Sequence, residues 1–146
     1  MTKTATLEDA IAIAAAAHRG QRDKAGAPYL LHPLRMMLAL RSESAMMAAV
    51  LHDVVEDTEW TLEGLREAGV PAEVVAAVEC LTRREGESYD AFIERVRANP
   101  VARAVKIADL EDNMNVLRIG QLGTKDFQRL EKYHRAWRAL KEAERS

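Results

Sequence analysis

The sequence predicts an all-α fold, a compact bundle of seven or eight helices forming one domain over residues 1–146. Alanine, leucine, glutamate and arginine dominate, and all four are strong helix formers. Alternation of period two, the signature of half-buried strands, is nearly absent. Glycine and proline fall between the apolar segments, where they end or start helices.

Taken in order, the first helix runs near 6–19, with Thr6 as N-cap and Asp9 at its third position. Glu8 and Asp9 also argue against reading this segment as a secretory leader. His18 stands at its end, where a histidine complements the helix dipole. Gly20 and Gly26 bracket a loop, and Pro33 opens a helix near 33–41. A helix near 43–56 carries the apolar run Ala45–Leu51. Shorter helices follow near 61–68 and 71–82, separated by Gly69 and Pro71, then one near 88–98. A helix near 100–116 is followed by a break at Gly120 and Gly123, and the last helix runs near 124–144. Met36, Met37, Met46 and Met47 read as core, Trp60 and Trp137 as packing anchors, and His134 as surface.

With 21 basic and 23 acidic residues the net charge is −2, which excludes a general basic footprint for nucleic acid. A single cysteine, Cys80, rules out an intrachain disulfide, fits a reducing compartment and reads as a buried thiol. No apolar run approaches the ~18 residues of a membrane span. A cytoplasmic protein is expected, and no signal for an oligomeric state is visible.

The stretch LHDVVEDT at 51–58 places one imidazole and three carboxylates within six positions. On a continuous helix residues four apart lie about 40° apart, so His52, Asp53, Glu56 and Asp57 share one side. Taken alone, the patch also reads as a solvated helix end. Two further apolar segments change the picture. PYLLHPLRMML sets His32 before a proline, and VARAVKIADLEDNMNVL sets Asp109 beyond another apolar stretch. Burying such groups costs several kcal/mol unless they are paired or metal-bound. Imidazole and carboxylate together suit Mn²⁺, Fe²⁺ or Zn²⁺, with positions left for water.

The order His…His-Asp…Asp resembles the HD superfamily of metal-dependent phosphohydrolases. More narrowly, AHRGQ, K-x-G-x-PY-x-x-HP, LHDVVEDT and VKIAD-x-x-x-NM resemble the RelA/SpoT hydrolase domain and its stand-alone small alarmone hydrolases, over roughly residues 10–140. The resemblance implies a Mn²⁺-dependent hydrolase removing the 3′-pyrophosphate of guanosine alarmones, a small-molecule nucleotide substrate. It implies His32, His52, Asp53 and Asp109 as metal ligands, and Glu56 and Asp57 as the residues serving the attacking water. It sets Lys24 at the phosphates, Asn113 at the nucleoside, and Arg129 and Tyr133 on the pocket wall.

The chain departs from the family at three basic positions, which here are Asp23, Leu110 and Asn115. Arg22 stands one place before the first and is expected to substitute there. Asp23 beside a polyphosphate is repulsive unless it faces solvent or pairs with Arg22, so arginine at 23 is expected to strengthen alarmone binding. Glu111 and Asp112 read as solvated. A second reading keeps the metal site but takes another phosphorylated nucleotide such as NADPH. A third is a nucleotide-sensing module without catalysis.

Overall fold

The apolar run after Ser42 becomes a helix buried on every side. In this computed structural model, which describes residues 3–145 of the domain expected over 1–146, that helix is the hub of the fold. In chain order the helices are α1 (Leu7–Ala17), α2 (Leu31–Leu38), α3 (Glu43–Leu51), α4 (Val54–Asp57) and α5 (Leu62–Glu67). They continue with α6 (Ala72–Leu81), α7 (Tyr89–Ala98), α8 (Pro100–Asn113), a 3₁₀ turn (Val116–Arg118) and α9 (Thr124–Glu144). The fold is all-α, with no strand among the described residues beyond one isolated bridge between Arg22 and Pro28. None of these helices is long and apolar enough to cross a membrane.

Helix α3 packs against α1, α2, α6 and α8. Ala45, Met47, Ala48, Ala49, Val50 and Leu51 are all buried, as a helix apolar all round must be. Helix α8 lies across α2, α3, α6, α7 and α9. Caps set the helix starts. Thr6 forms the capping box with Asp9, Thr61 accepts from the amide of Gly64, and Asn99 accepts from that of Ala102 ahead of Pro100. Gly69 ends the turn after α5 at φ +89°, where a Cβ would lie 2.1 Å from the carbonyl oxygen of Lys3. Only glycine fits there.

Several helix boundaries differ from expectation, and α2 ends early, at Leu38. Helix 43–56 is two helices, α3 and α4, which raises the number among the described residues to nine. The Nδ1 of His52 bonds the carbonyl of Ala49 at 2.7 Å, the oxygen that the amide of Asp53 would take in a continuous helix. The backbone accordingly leaves α geometry at Asp53 (φ −104°, ψ 0°) and restarts at Val54. Helix α2 begins ahead of Pro33, because a turn closed by Leu31 N–H to Pro28 O leads into it. Helix α8 stops at Asn113, and Asn115 then caps the 3₁₀ turn with its side chain. Cys80, expected in the core, is half-buried at its edge.

Candidate active site

Four polar or charged residues are buried among those described: His18, His32, His52 and Asp109. Three come together. His32 from the first turn of α2, His52 from the end of α3 and Asp109 from α8 place ligand atoms within 4.8 Å of one another. The Nε2 of His32 lies 2.8 Å, and that of His52 3.7 Å, from Asp109 Oδ1. Asp53, at the break between α3 and α4, sets Oδ2 3.1 Å from His52 Nε2. Tyr29 donates its hydroxyl hydrogen bond to the same oxygen.

The donor set suits a divalent ion. His52 Nδ1 donates to Ala49 O, and His32 Nδ1 donates to Asp112 Oδ2 at 2.6 Å. With Nδ1 carrying the proton, each Nε2 turns a lone pair toward carboxylate oxygens that also only accept. Such lone pairs stay close only if a proton or a cation lies between them. Without an ion, a proton takes that place on His52. Burial opposes charge on His52, but Asp53 and then Asp109 outweigh it and push its pKa up to about 9. Burial likewise opposes Asp53, and His52 overcomes it, holding the carboxyl at about 2.

Behind the cluster lies Lys106, its Nζ 2.7 Å from Asp109 Oδ2 and 5.2 Å from the Phe92 ring centroid. Burial disfavours its charge, but Asp109 outweighs that, so both stay ionised. Lys106 therefore holds one oxygen of Asp109 and leaves Oδ1 toward the histidines.

A cavity of about 570 Å³ opens in front of His32, Asp53 and Asp109. Arg22, Lys24, Asn113, Arg129 and Tyr133 all line it. Two of these are engaged already. Asn113 Nδ2 donates to Asp109 Oδ1 at 3.1 Å, and Arg129 pairs with Asp126 one turn earlier. Asp23 lines the cavity too, but neither faces solvent freely nor pairs with Arg22. Its Oδ1 accepts from the amides of Ala25 and Ala27, both at 2.9 Å, and so ties the 22–28 loop together.

Glu56 and Asp57 sit on α4, exposed and outside the lining of this cavity; Asp57 lines a separate cleft with Gln21 and Trp60. Partial burial, and after it the charge of Asp53, raise both carboxyls above the usual range. His18 is the C-cap of α1 but is 2% exposed, with Nδ1 on Gln21 Oε1 and its ring 4.9 Å from Tyr29.

Asp112 is not solvated. It accepts from His32, from Arg35 through Nε at 2.8 Å and Nη2 at 3.0 Å, and faces Arg118 Nη2 at 3.3 Å. Tyr29, Arg35, Lys106 and Arg118 were not among the expected site residues. Tyr29 and Lys106 stand within the PY-x-x-HP and VKIAD stretches, and Lys106 also lies at i, i+3 spacing from Asp109, whereas Arg35 and Arg118 offered no local signal.

The HD domain family model matches residues 10–114. The chain is 38% identical over 126 residues to a GTP pyrophosphokinase of Streptomyces coelicolor, covering 77% of this chain and 15% of that protein. It is 35% identical over 119 residues to a guanosine-3′,5′-bis(diphosphate) 3′-pyrophosphohydrolase of Haemophilus influenzae, covering 72% of this chain and 18% of that protein. It thus spans less than a fifth of the length of these relatives. Among solved structures, a metazoan ortholog of SpoT described as hydrolysing ppGpp has the same fold. Its TM-score is 0.76 at 24% identity, with 96% of this chain and 87% of that chain covered.

Proposed function

Because the chain belongs to the HD domain family, we propose that it is a metal-dependent phosphohydrolase that removes the 3′-pyrophosphate of guanosine 3′-diphosphate 5′-diphosphate. The observation that carries this reading is the convergence of His32, His52 and Asp109, with Asp53 beside them, at a cavity ringed by Arg22, Lys24, Arg118 and Arg129. The similar proteins include one named for this reaction.

In this proposal His32, His52, Asp53 and Asp109 hold one divalent ion, Mn²⁺, with Fe²⁺ and Zn²⁺ as the other candidates for such a ligand set. When bound, the ion polarises a phosphate oxygen and lowers the pKa of water. The water oxygen bonds to the phosphorus next to the ribose, and the bond from that phosphorus to the 3′-oxygen breaks. The products are guanosine 5′-diphosphate and pyrophosphate. Glu56, with Asp57 beside it, takes the water proton from the α4 side of Asp53; its raised pKa suits a general base. Tyr29 keeps its proton, because burial and the adjacent Asp53 both disfavour the phenolate, and it fixes one oxygen of Asp53. Asn113 does the same for Asp109. Arg22, Lys24, Arg129 and Tyr133 receive the nucleotide.

A panel of nucleotides incubated with Mn²⁺-loaded protein, with phosphate and pyrophosphate separated, tests the proposal. Pyrophosphate should be released from the guanosine tetraphosphate. Release only from another nucleotide such as NADPH would reassign the substrate, and binding without release from any would favour a sensing role.

A further inference from the structure

The wall that lacks cations at positions 110 and 115 carries one at 118. Leu110 is fully buried, so a charged side chain there could not reach the cavity without unpacking α8. Asn115 is used locally: its Oδ1 accepts the amide of Leu117 at 3.2 Å and caps the turn Val116–Arg118. That turn brings Arg118 back along the end of α8. There its Nη2 donates to Asp112 O at 2.6 Å and approaches Asp112 Oδ2 at 3.3 Å.

Only one nitrogen of the guanidinium is held in this way. Its Nε and Nη1 have no hydrogen-bond partner among the described residues, and the side chain lines the cavity together with Asn113 and Asn115. Of the other three arginines there, Arg22, Arg35 and Arg129, two are also paired. Arg35 gives Nε and Nη2 to Asp112 in a two-point pair, and Arg129 is paired with Asp126. A planar fork clamped at one corner has lost much of its rotamer freedom, and its free edge matches two oxygens of a phosphate.

Building on the proposed phosphohydrolase reading, we propose that Arg118 grips a phosphate of the nucleotide, one carboxylate away from His32, and that the Asn115-capped turn exists to present it. Arg118 is then a substrate-binding residue that sets phosphate recognition in this chain. Asp112 gains a second task beside orienting His32, which is to anchor that arginine.

The test compares wild type, Arg118→Gln and Arg118→Lys as Mn²⁺-loaded proteins, measuring calorimetric affinity for inorganic pyrophosphate and for guanosine 3′-diphosphate 5′-diphosphate, and Mn²⁺ affinity separately. Arg118→Gln should weaken both phosphate ligands about tenfold or more, the scale of one charge-assisted contact, with unchanged Mn²⁺ affinity. Arg118→Lys should recover part of the loss, since it restores the charge but not the fork. Where turnover is seen, the change should fall on KM and not kcat. Equal binding by Arg118→Gln and wild type would overturn the proposal. So would a parallel loss of Mn²⁺, which would mean that Arg118 only supports Asp112 and His32, and so would a wild type that binds neither ligand. If wild type binds both ligands through Arg118 but cleaves neither, the hydrolase reading falls while this one stands.

Discussion

His32 and Asp112 are 80 positions apart in the chain, yet Nδ1 of the one lies 2.6 Å from Oδ2 of the other, both largely buried. A carboxylate on the far nitrogen fixes the tautomer and ring orientation of a metal-binding histidine and raises its basicity. Asp112→Asn should therefore lower Mn²⁺ affinity by roughly 10–100-fold while the helical circular dichroism stays native. Titration with a metallochromic competitor decides this, and an unchanged affinity would leave Asp112 only a structural partner of Arg35.

Removal of a direct ligand should act more strongly. His52→Ala and Asp109→Ala are expected to lose stoichiometric metal, as measured by elemental analysis after gel filtration. Because the ion binds the folded cluster and has no such site in the unfolded chain, chelation should also lower the Tm of wild type. Full metal retention in both variants would refute the ligand set.

The metal-free protein should show a two-sided pH dependence. The pKa of His52 is raised from 6.5 to about 9, so its contribution is full below about 6.5 and lost as pH rises through 9. That of Asp53 is lowered from 3.8 to about 2, so its contribution is full above 3.8 and lost as pH falls through 2. Stability from this pair is thus greatest between roughly pH 4 and 6.5. An ion displaces the His52 proton, so the alkaline decline should disappear on metal loading. Melting curves with and without chelator test this; no alkaline decline in the chelated protein would contradict it.

Glu56→Gln should keep metal and fold but lose about 10²-fold or more in kcat, the usual scale for a general base. The lost activity should not return at high substrate. If metal leaves with the activity, Glu56 belongs to the ligand set.

Arginine at position 23 should impair substrate binding, contrary to what the sequence suggested. Asp23 holds two backbone amides of its own loop, each bond contributing about 1 kcal/mol, and that loop carries Arg22 and Lys24. Asp23→Arg should raise KM by loosening the loop, whereas Asp23→Asn, which keeps the accepting oxygen, should leave KM within about twofold. A lower KM for Asp23→Arg would show that charge outweighs loop order.

The sequence by itself determined the all-α fold, because composition and 3.6-residue periodicity are local properties that burial reinforces. It also picked out His32, His52 and Asp109, since a ligand-type side chain at the edge of an apolar run must find a partner when the run is buried. The break between α3 and α4 was decided by one side chain, when His52 took the carbonyl of Ala49 from the backbone ladder. Asp112, Arg35, Tyr29 and Arg118 could be assigned only in three dimensions. In the sequence Asp112 is a polar residue on a solvated-looking helix end, and what changes its role is the start of α2, packed against α8. Tertiary structure alone sets polar pairs so distant in the chain, because their energy depends on which charged groups share a buried space.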